Sequence, residues 1–310
     1  MQKSRIDWTD FSWNPIVGCR HTCTYCYARK ESRRFCGDVR LNKTSPQLRK
    51  EGDLYVLDKP FKNVNDRTLT MPTGFEPTLH RYRLGYPLHM RKGQKVFVGS
   101  MSDVFGEWVP DSWIEEIFEV CKAAPQHRYL FLTKNPARYA ALAANGKLPM
   151  QENMWYGSTV TTPDDTFWWS TYHNTFVSIE PIMASFEQPG EPVKKVDWVI
   201  VGAENGKRKG KVIPEREWIE ALVSDCRATG VPIFMKGSLR QLMGDQFVQE
   251  YPEGLQPPPQ PLQKHRVFVE CVRDKKECKG CGMALQGTPA TRVNARYYLC
   301  PGCLKEAEQH

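Results

Sequence analysis

No run of apolar residues in the chain approaches the roughly 18 needed to span a bilayer, which excludes a helical membrane protein. Residues 1–8 (MQKSRIDW) contain no apolar leader core, so the expected location is the cytoplasm. There is no internal repeat, and no low-complexity tract beyond one proline-rich stretch. Acidic residues are in deficit: 35 Asp and Glu stand against 43 Lys and Arg, a net charge of +8 that favours anionic partners such as phosphate or nucleic acid. The basic residues gather at 29–34, 207–211 and 273–276, and each run taken singly reads as a solvated face. Otherwise the composition, 40% hydrophobic and 25% charged, is that of an ordinary soluble protein.

Eleven cysteines in a cytosolic chain do not read as a disulfide framework. Seven fall into two metal-like groups. Cys36, Cys121, Cys226 and Cys271 are left over, and Cys121 and Cys226 fit apolar helix faces as small buried hydrophobes.

The first group organises the rest. Residues 13–29 (WNPIVGCRHTCTYCYAR) carry Cys19, Cys23 and Cys26 in a C-x3-C-x2-C run, on a loop expected to leave a strand and enter a helix over 24–35. That spacing lets three thiolates converge on one face of a cluster, but Fe-S clusters normally take four. A closed zinc site also wants four protein ligands, and no further Cys or His follows at finger spacing. His21, between the cysteines, is of a type that ligates zinc or haem rather than a cubane, and is expected to be a bystander. The triplet therefore suggests a four-iron cluster with one iron reserved for another molecule.

Downstream, the pattern becomes rhythmic. Short apolar runs at 96–99, 129–132, 154–160, 175–179, 198–202 and 232–235 read as strands, and amphipathic helices are expected from 111, from 135 and around 214–230. Pro214 and Gly230 punctuate the last of these helices. Continuous apolar strands alternating with helices mean a parallel sheet buried on both faces. With a strand before Cys19 there are about seven β/α units, which suits an α/β fold built as a full or partial parallel (β/α) barrel. Residues 37–95 read only as mixed loop and helix. Polar residues recur where strands end: Ser100, Asp103, Thr133, Lys134, Ser158, Thr159, Glu180, Glu204, Asn205 and Lys236. In barrels that rim is the active face.

The barrel is expected to span 1–250, followed by a proline-rich linker over 251–263 that is stiff and extended. The remaining 264–310 carry Cys278, Cys281, Cys300 and Cys303 as two C-x2-C knuckles, which fit a small zinc ribbon holding Zn2+ in a closed thiolate site. A second Fe-S cluster could use the same four ligands.

The cysteine triplet, with Tyr25 directly before its last member, resembles the signature of radical S-adenosylmethionine (SAM) enzymes. Asp7-Trp8-Thr9-Asp10 with Trp13-Asn14-Pro15, the run 97–105 (FVGSMSDVF), Ser178-Ile179-Glu180-Pro181 and the run 197–204 (DWVIVGAE) look like a branch of that superfamily first catalogued as phage proteins of unknown function. The resemblance spans about residues 5 to 240. It implies a barrel of radical-SAM type, a 4Fe-4S cluster on Cys19, Cys23 and Cys26, and SAM on the open iron. It further implies Tyr25 near the adenine and Ser100, Met101 and Ser102 at the SAM amino group. Asp103, Ser158, Glu180 and Glu204 complete the expected cofactor-binding set, the two glutamates as ribose acceptors. An electron donor such as flavodoxin or ferredoxin would reduce the cluster and yield a 5'-deoxyadenosyl radical. One activity in the branch is queuine lyase, which releases the queuine base from queuosine 5'-phosphate in salvage. That implies a nucleoside or nucleotide substrate, with Lys134, Glu180 and Lys236 as catalytic candidates and Lys134, Lys236 and the run 207–211 as phosphate holders. The family often has a longer insert between the first two cysteines, and the ribbon here is an addition. Two alternatives remain: a radical SAM enzyme acting on DNA or tRNA, as photoproduct lyases do, and a non-enzymatic zinc or Fe-S module that recognises RNA.

Overall fold

The computed structural model describes residues 1–186, 195–206 and 208–256, with the backbone of 269–271, 289–294 and 297–299. Two compact units result, Met1–Leu255 and Gln256–His310.

In the first unit β1 (Gln2–Lys3) and β2 (Phe11–Trp13) precede β3 (Ile16–Val17) and the cysteine loop, which enters α1 (Tyr27–Phe35). The stretch 37–95 is richer in strands than expected. After α2 (Val39–Asn42) come β4 (Arg49–Glu51), β5 (Leu54–Leu57), the β6 (Phe61–Lys62) and β7 (Thr68–Leu69) hairpin, and β8 (Thr78–His80). Strands β3, β8, β5 and β4 form a small separate sheet, and β3 leads into the cysteine loop.

The chain then alternates as the sequence rhythm predicts. Strand β9 (Lys95–Val98) leads to α3 (Asp111–Ala123), β10 (Arg128–Thr133) to α4 (Pro136–Ala144), and β11 (Met154–Val160) to β12 (Asn174–Ile179). Next come β13 (Trp198–Val201), α5 (Arg216–Thr229) and β14 (Ile233–Met235). Helix α3 turns Trp113, Ile114, Ile117, Phe118 and Cys121 inward, as the amphipathic helix expected from 111 should. Helix α5 stops at Gly230, which takes the left-handed conformation that L side chains resist.

Strands β2, β9, β10, β11, β12, β13 and β14 pair in sequence order and in parallel, while β1 adds antiparallel to β2. Among the described residues no step reverses direction, so they show no doubly wound switch point. The sheet nonetheless curls. In a flat sheet β9 and β13 would lie about 19 Å apart, four steps of roughly 4.8 Å. Trp8 touches the Phe97 ring of β9 at 4.8 Å and the Trp198 ring of β13 at 6.1 Å. Closure into a full barrel is not reached among the described residues, because β14 pairs with β13 and not with β2.

Strand alternation sorts the core. Phe97, Leu130, Trp155, Phe176, Trp198, Ile200 and Phe234 fill the concave side around Trp8, while their strand neighbours pack on the outer face with residues of α3, α4 and α5. Tyr251 and Leu255, the first residues of the proline-rich stretch, belong to this concave core. No helix among the described residues is long and apolar enough to cross a membrane.

The second unit shows a three-stranded antiparallel sheet of β15 (Val269–Cys271), β16 (Pro289–Asn294) and β17 (Tyr297–Leu299). Cys278, Cys281, Cys300 and Cys303, the expected zinc ligands, lie outside the described residues.

Candidate functional site

At the carboxyl ends of the parallel strands lies a cavity of about 570 Å³, a volume typical of small-molecule sites. Cys19, Cys23, Cys26 and Tyr25 line one side, the β9 turn from Gly99 to Asp103 the next, and Lys134, Thr159, Ser178, Glu180, Glu204, Asn205 and Lys236 the rest. The strand-end polar residues and the cysteine loop therefore do share one rim. Ser158 is the exception. Its side chain points to the outer face, where its hydroxyl accepts the Trp168 amide at 3.0 Å, and its neighbour Thr159 takes the inward position.

The cysteine loop is pinned from several directions. Gly18 donates its amide to the Met101 carbonyl (3.0 Å), and Cys19 donates to that of Phe75 (3.0 Å). Gly18 has φ of +96°, and a Cβ there would lie 2.3 Å from the Glu76 carbonyl oxygen, so the turn admits glycine alone. Arg29 reaches back from α1 and donates to the carbonyls of Cys19 (3.1 Å) and His21 (2.7 Å), its guanidinium 4.8 Å from the centre of the Phe75 ring. Cys26 caps α1, its sulfur accepting the Arg29 amide at 3.3 Å. Helix α1 thus starts at Tyr27, three residues later than the expected position 24.

Asn14 arranges the opposite turn. Its Oδ1 accepts the Ser100 hydroxyl (3.2 Å) and the Met101 amide (3.0 Å), while Tyr27 donates its hydroxyl to the Ser100 carbonyl at 2.6 Å. Asp103, read from sequence as cofactor-binding, is used inside the protein. Its carboxylate accepts from the Thr133 hydroxyl (2.8 Å), the Phe105 amide (3.0 Å) and the Lys134 amide (2.9 Å), and meets His21 Nε2 at 2.8 Å. A carboxylate has about four acceptor sites, so Asp103 is saturated and serves as a bracket. His21 stands edge-on to Trp108 and completes that bracket. Sequence reasoning gave Asn14, Arg29 and Thr133 no such roles; the only signals were the proximity of Asn14 and Arg29 to the cysteine run and the place of Thr133 at a strand end.

Burial pushes the Cys19 thiol up to about 12 and raises Cys23, the latter opposed by the nearby Lys134 ammonium. These thiols stay protonated until a cation stabilises the thiolate. Among the described residues no three Cys, His, Asp or Glu side chains converge on one point as ligands of a single ion would. Ser102 adds a buried hydroxyl oxygen with no partner beside the loop. Three thiols and an unsatisfied hydroxyl on one cavity wall fit a cluster with an attached polar cofactor.

Across the cavity the charges are paired. Lys236 is bonded to Glu180, its aliphatic stem lying over Gly202, where a Cβ would come within 3.0–3.2 Å of it. Glu204, only 8% exposed, accepts two bonds of 2.7 Å from Arg208, which hold its carboxyl below the usual range. Lys134 lies 5.2 Å from the centre of the Tyr25 ring. Of the run 207–211, Lys207 lies outside the described residues.

No curated protein matches the chain. Two solved structures resemble it, both variants of spore photoproduct lyase. One, with a cysteine replaced by serine, is 11% identical with a TM-score of 0.41, covering 76% of this chain and 80% of its own. The other, with a tyrosine replaced by phenylalanine, is 10% identical with a TM-score of 0.43, covering 75% and 78%. A family model described as "Protein of unknown function (DUF5131)" matches residues 3–248, and by that match over most of its length the chain belongs to this family.

Proposed function

We propose that this chain is a radical SAM enzyme whose 4Fe-4S cluster is held by Cys19, Cys23 and Cys26, and that it acts as a lyase releasing queuine from queuosine 5'-phosphate. The observation that carries the class is the shared cavity: three cysteines on one wall, with strand-end polar residues completing the ring. When bound, the cluster and SAM supply a carbon radical that abstracts hydrogen from the substrate. The protein binds, orients and excludes water. Ser100 keeps its lone pairs free for the SAM amino group, since its own proton goes to Asn14. Ser102 offers an unpaired hydroxyl beside it. Tyr25, capped by Lys134, supplies an aromatic wall for the adenine. Glu204, kept ionised by Arg208, is the ribose acceptor. Glu180 and Lys236 form the proton-handling pair at the substrate. The queuine specificity rests on the motif resemblance, and the zinc ribbon on the knuckle spacing of Cys278, Cys281, Cys300 and Cys303.

A second reading keeps the radical chemistry and takes DNA or tRNA as substrate. What favours it is that Lys30 of α1 and Arg208 and Lys211 of the loop after β13 all act on Glu204, so cations from two elements gather around this cavity-lining carboxylate. Salt-dependent retention of nucleic acid separates the two readings. A purely structural metal module has no use for the ring of strand-end polar groups.

The test is anaerobic reconstitution followed by reduction with SAM present. Wild type is expected to form 5'-deoxyadenosine and, given queuosine 5'-phosphate, to release queuine. Cys19→Ala, folded, is expected to lack cluster absorbance and SAM cleavage, and activity in that variant would remove the cluster role.

A further inference from the structure

We infer that the floor of the cavity is a subsite for a neutral, oxo-bearing planar heterocycle of the nucleobase class, held by the Ser178 hydroxyl and the Trp8 indole N–H. It rests on the proposed function only in placing that ring beside the cofactor; recognition of the ring stands on the floor residues themselves.

Ser178 and Trp8 both line the cavity and each is 1% exposed, yet neither Ser178 Oγ nor Trp8 Nε1 has a hydrogen-bond partner among the described residues. Alternation along β12 turns Ser178 inward with Phe176, while Val177 and Ile179 pack on the outer face. The Trp8 ring is held by Phe97, Phe176 and Trp198, so its N–H cannot swing away to find a partner. Buried polar atoms are normally satisfied, and leaving one unpaired costs stability. Two such atoms on one floor mark a place finished by something that is not part of the chain.

Their chemistry limits what that is. An indole N–H only donates, so the occupant presents an acceptor such as a ring carbonyl or imine nitrogen. A hydroxyl both donates and accepts, so Ser178 also tolerates a ring N–H. Phe97 and Leu132, on the same lining, offer apolar faces suited to a flat ring. Lys236, on the same lining, is already matched by Glu180, and neither Ser178 nor Trp8 carries a charge, so these two groups select a neutral ring. An oxo-purine analogue and an oxo-pyrimidine share this chemistry.

The experiment uses the full-length, anaerobically reconstituted protein and measures binding of 7-deazaguanine and of thymine by calorimetry. Wild type is expected to bind one of the two. Preference for 7-deazaguanine points to a queuosine-type substrate, and preference for thymine to a DNA-type one. Ser178→Ala is expected to weaken that binding about tenfold, the worth of one lost hydrogen bond, without lowering the melting temperature, because the hydroxyl has no partner in the fold. Trp8→Phe, which keeps a ring and removes the N–H, is expected to weaken it similarly. The inference is overturned if wild type binds neither base, if both variants bind as wild type does, or if Ser178→Ala loses SAM affinity instead. Wild type that forms no deoxyadenosine would refute the radical reading separately, whatever the bases do.

Discussion

On the side of the cavity built by the cysteine loop and the β9 turn, polar groups mostly find partners within the protein. Asn14 ties down Ser100 and Met101, Arg29 ties down Cys19 and His21, and Asp103 gathers Thr133, Phe105, Lys134 and His21. On the side built by β12, β13 and β14, Glu180, Lys236, Glu204 and Arg208 pair off, and Ser178 Oγ has no partner. Each side keeps one buried hydroxyl without a partner, Ser102 Oγ on the first and Ser178 Oγ on the second. What differs is that the first side ties the ligand loop and its turn down through backbone groups, whereas the second pairs charged side chains with one another, and that contrast separates a scaffold from a receptor. A metal cluster needs its ligands held before it arrives, and outer bonds to the ligand loop supply that rigidity. A substrate needs groups still free to bond, at a cost in stability that a purely structural core would not carry.

Breaking the receptor side is expected to give the largest effect on turnover. Glu180→Gln removes the charge facing Lys236 and should lower kcat for base release by about 10² to 10⁴ if the pair handles a proton, while SAM cleavage without substrate continues. Steady-state assays of queuine and deoxyadenosine side by side check this, and equal loss of both products would move Glu180 to the scaffold. Breaking the scaffold side should act on occupancy. Asn14→Ala and Arg29→Ala are each expected to weaken cluster retention or SAM affinity about 10- to 100-fold, the usual cost of removing a supporting bond around a metal site. Iron per chain and SAM titration measure it.

A smaller effect sharpens the comparison by marking what belongs to neither side. Burial lowers the pKa of His80, helped by the Arg83 charge, and burial also lowers His127 and His173. The folded protein therefore keeps these rings neutral while the unfolded chain takes up protons below about pH 6.5. Stability contributed this way is present above that pH and falls as the pH drops toward 5. Urea unfolding at pH 7, 6 and 5 should show the decline, and His80→Asn should flatten it.

Much of this was legible in the sequence because parallel strands buried on both faces are short unbroken apolar runs, and all six from β9 to β14 stand where those runs are. The cysteine triplet and the polar residues at strand ends were legible for a related reason, since their spacing is local. Three things were not. The strands β3 to β8 are only two to four residues long, too short to show a period, and β8 pairs with β3 and β5 far along the chain, so residues 37–95 carry no periodic signal. Ser158 and Thr159 both follow a run apolar on both faces, which hides which of them points inward. Arg29 looked like one charge in a solvated run, because nothing in the sequence shows that its guanidinium folds back under the loop.

The central claim is that Cys19, Cys23 and Cys26 hold a four-iron cluster with one iron open to SAM. Electron paramagnetic resonance of the dithionite-reduced, anaerobically reconstituted protein tests it most directly. The account predicts a 4Fe-4S signal that changes shape on adding SAM, survives replacement of Cys278, Cys281, Cys300 and Cys303, and vanishes in Cys23→Ala. A signal indifferent to SAM and to Cys23→Ala, or zinc alone bound by the first three cysteines, would contradict it.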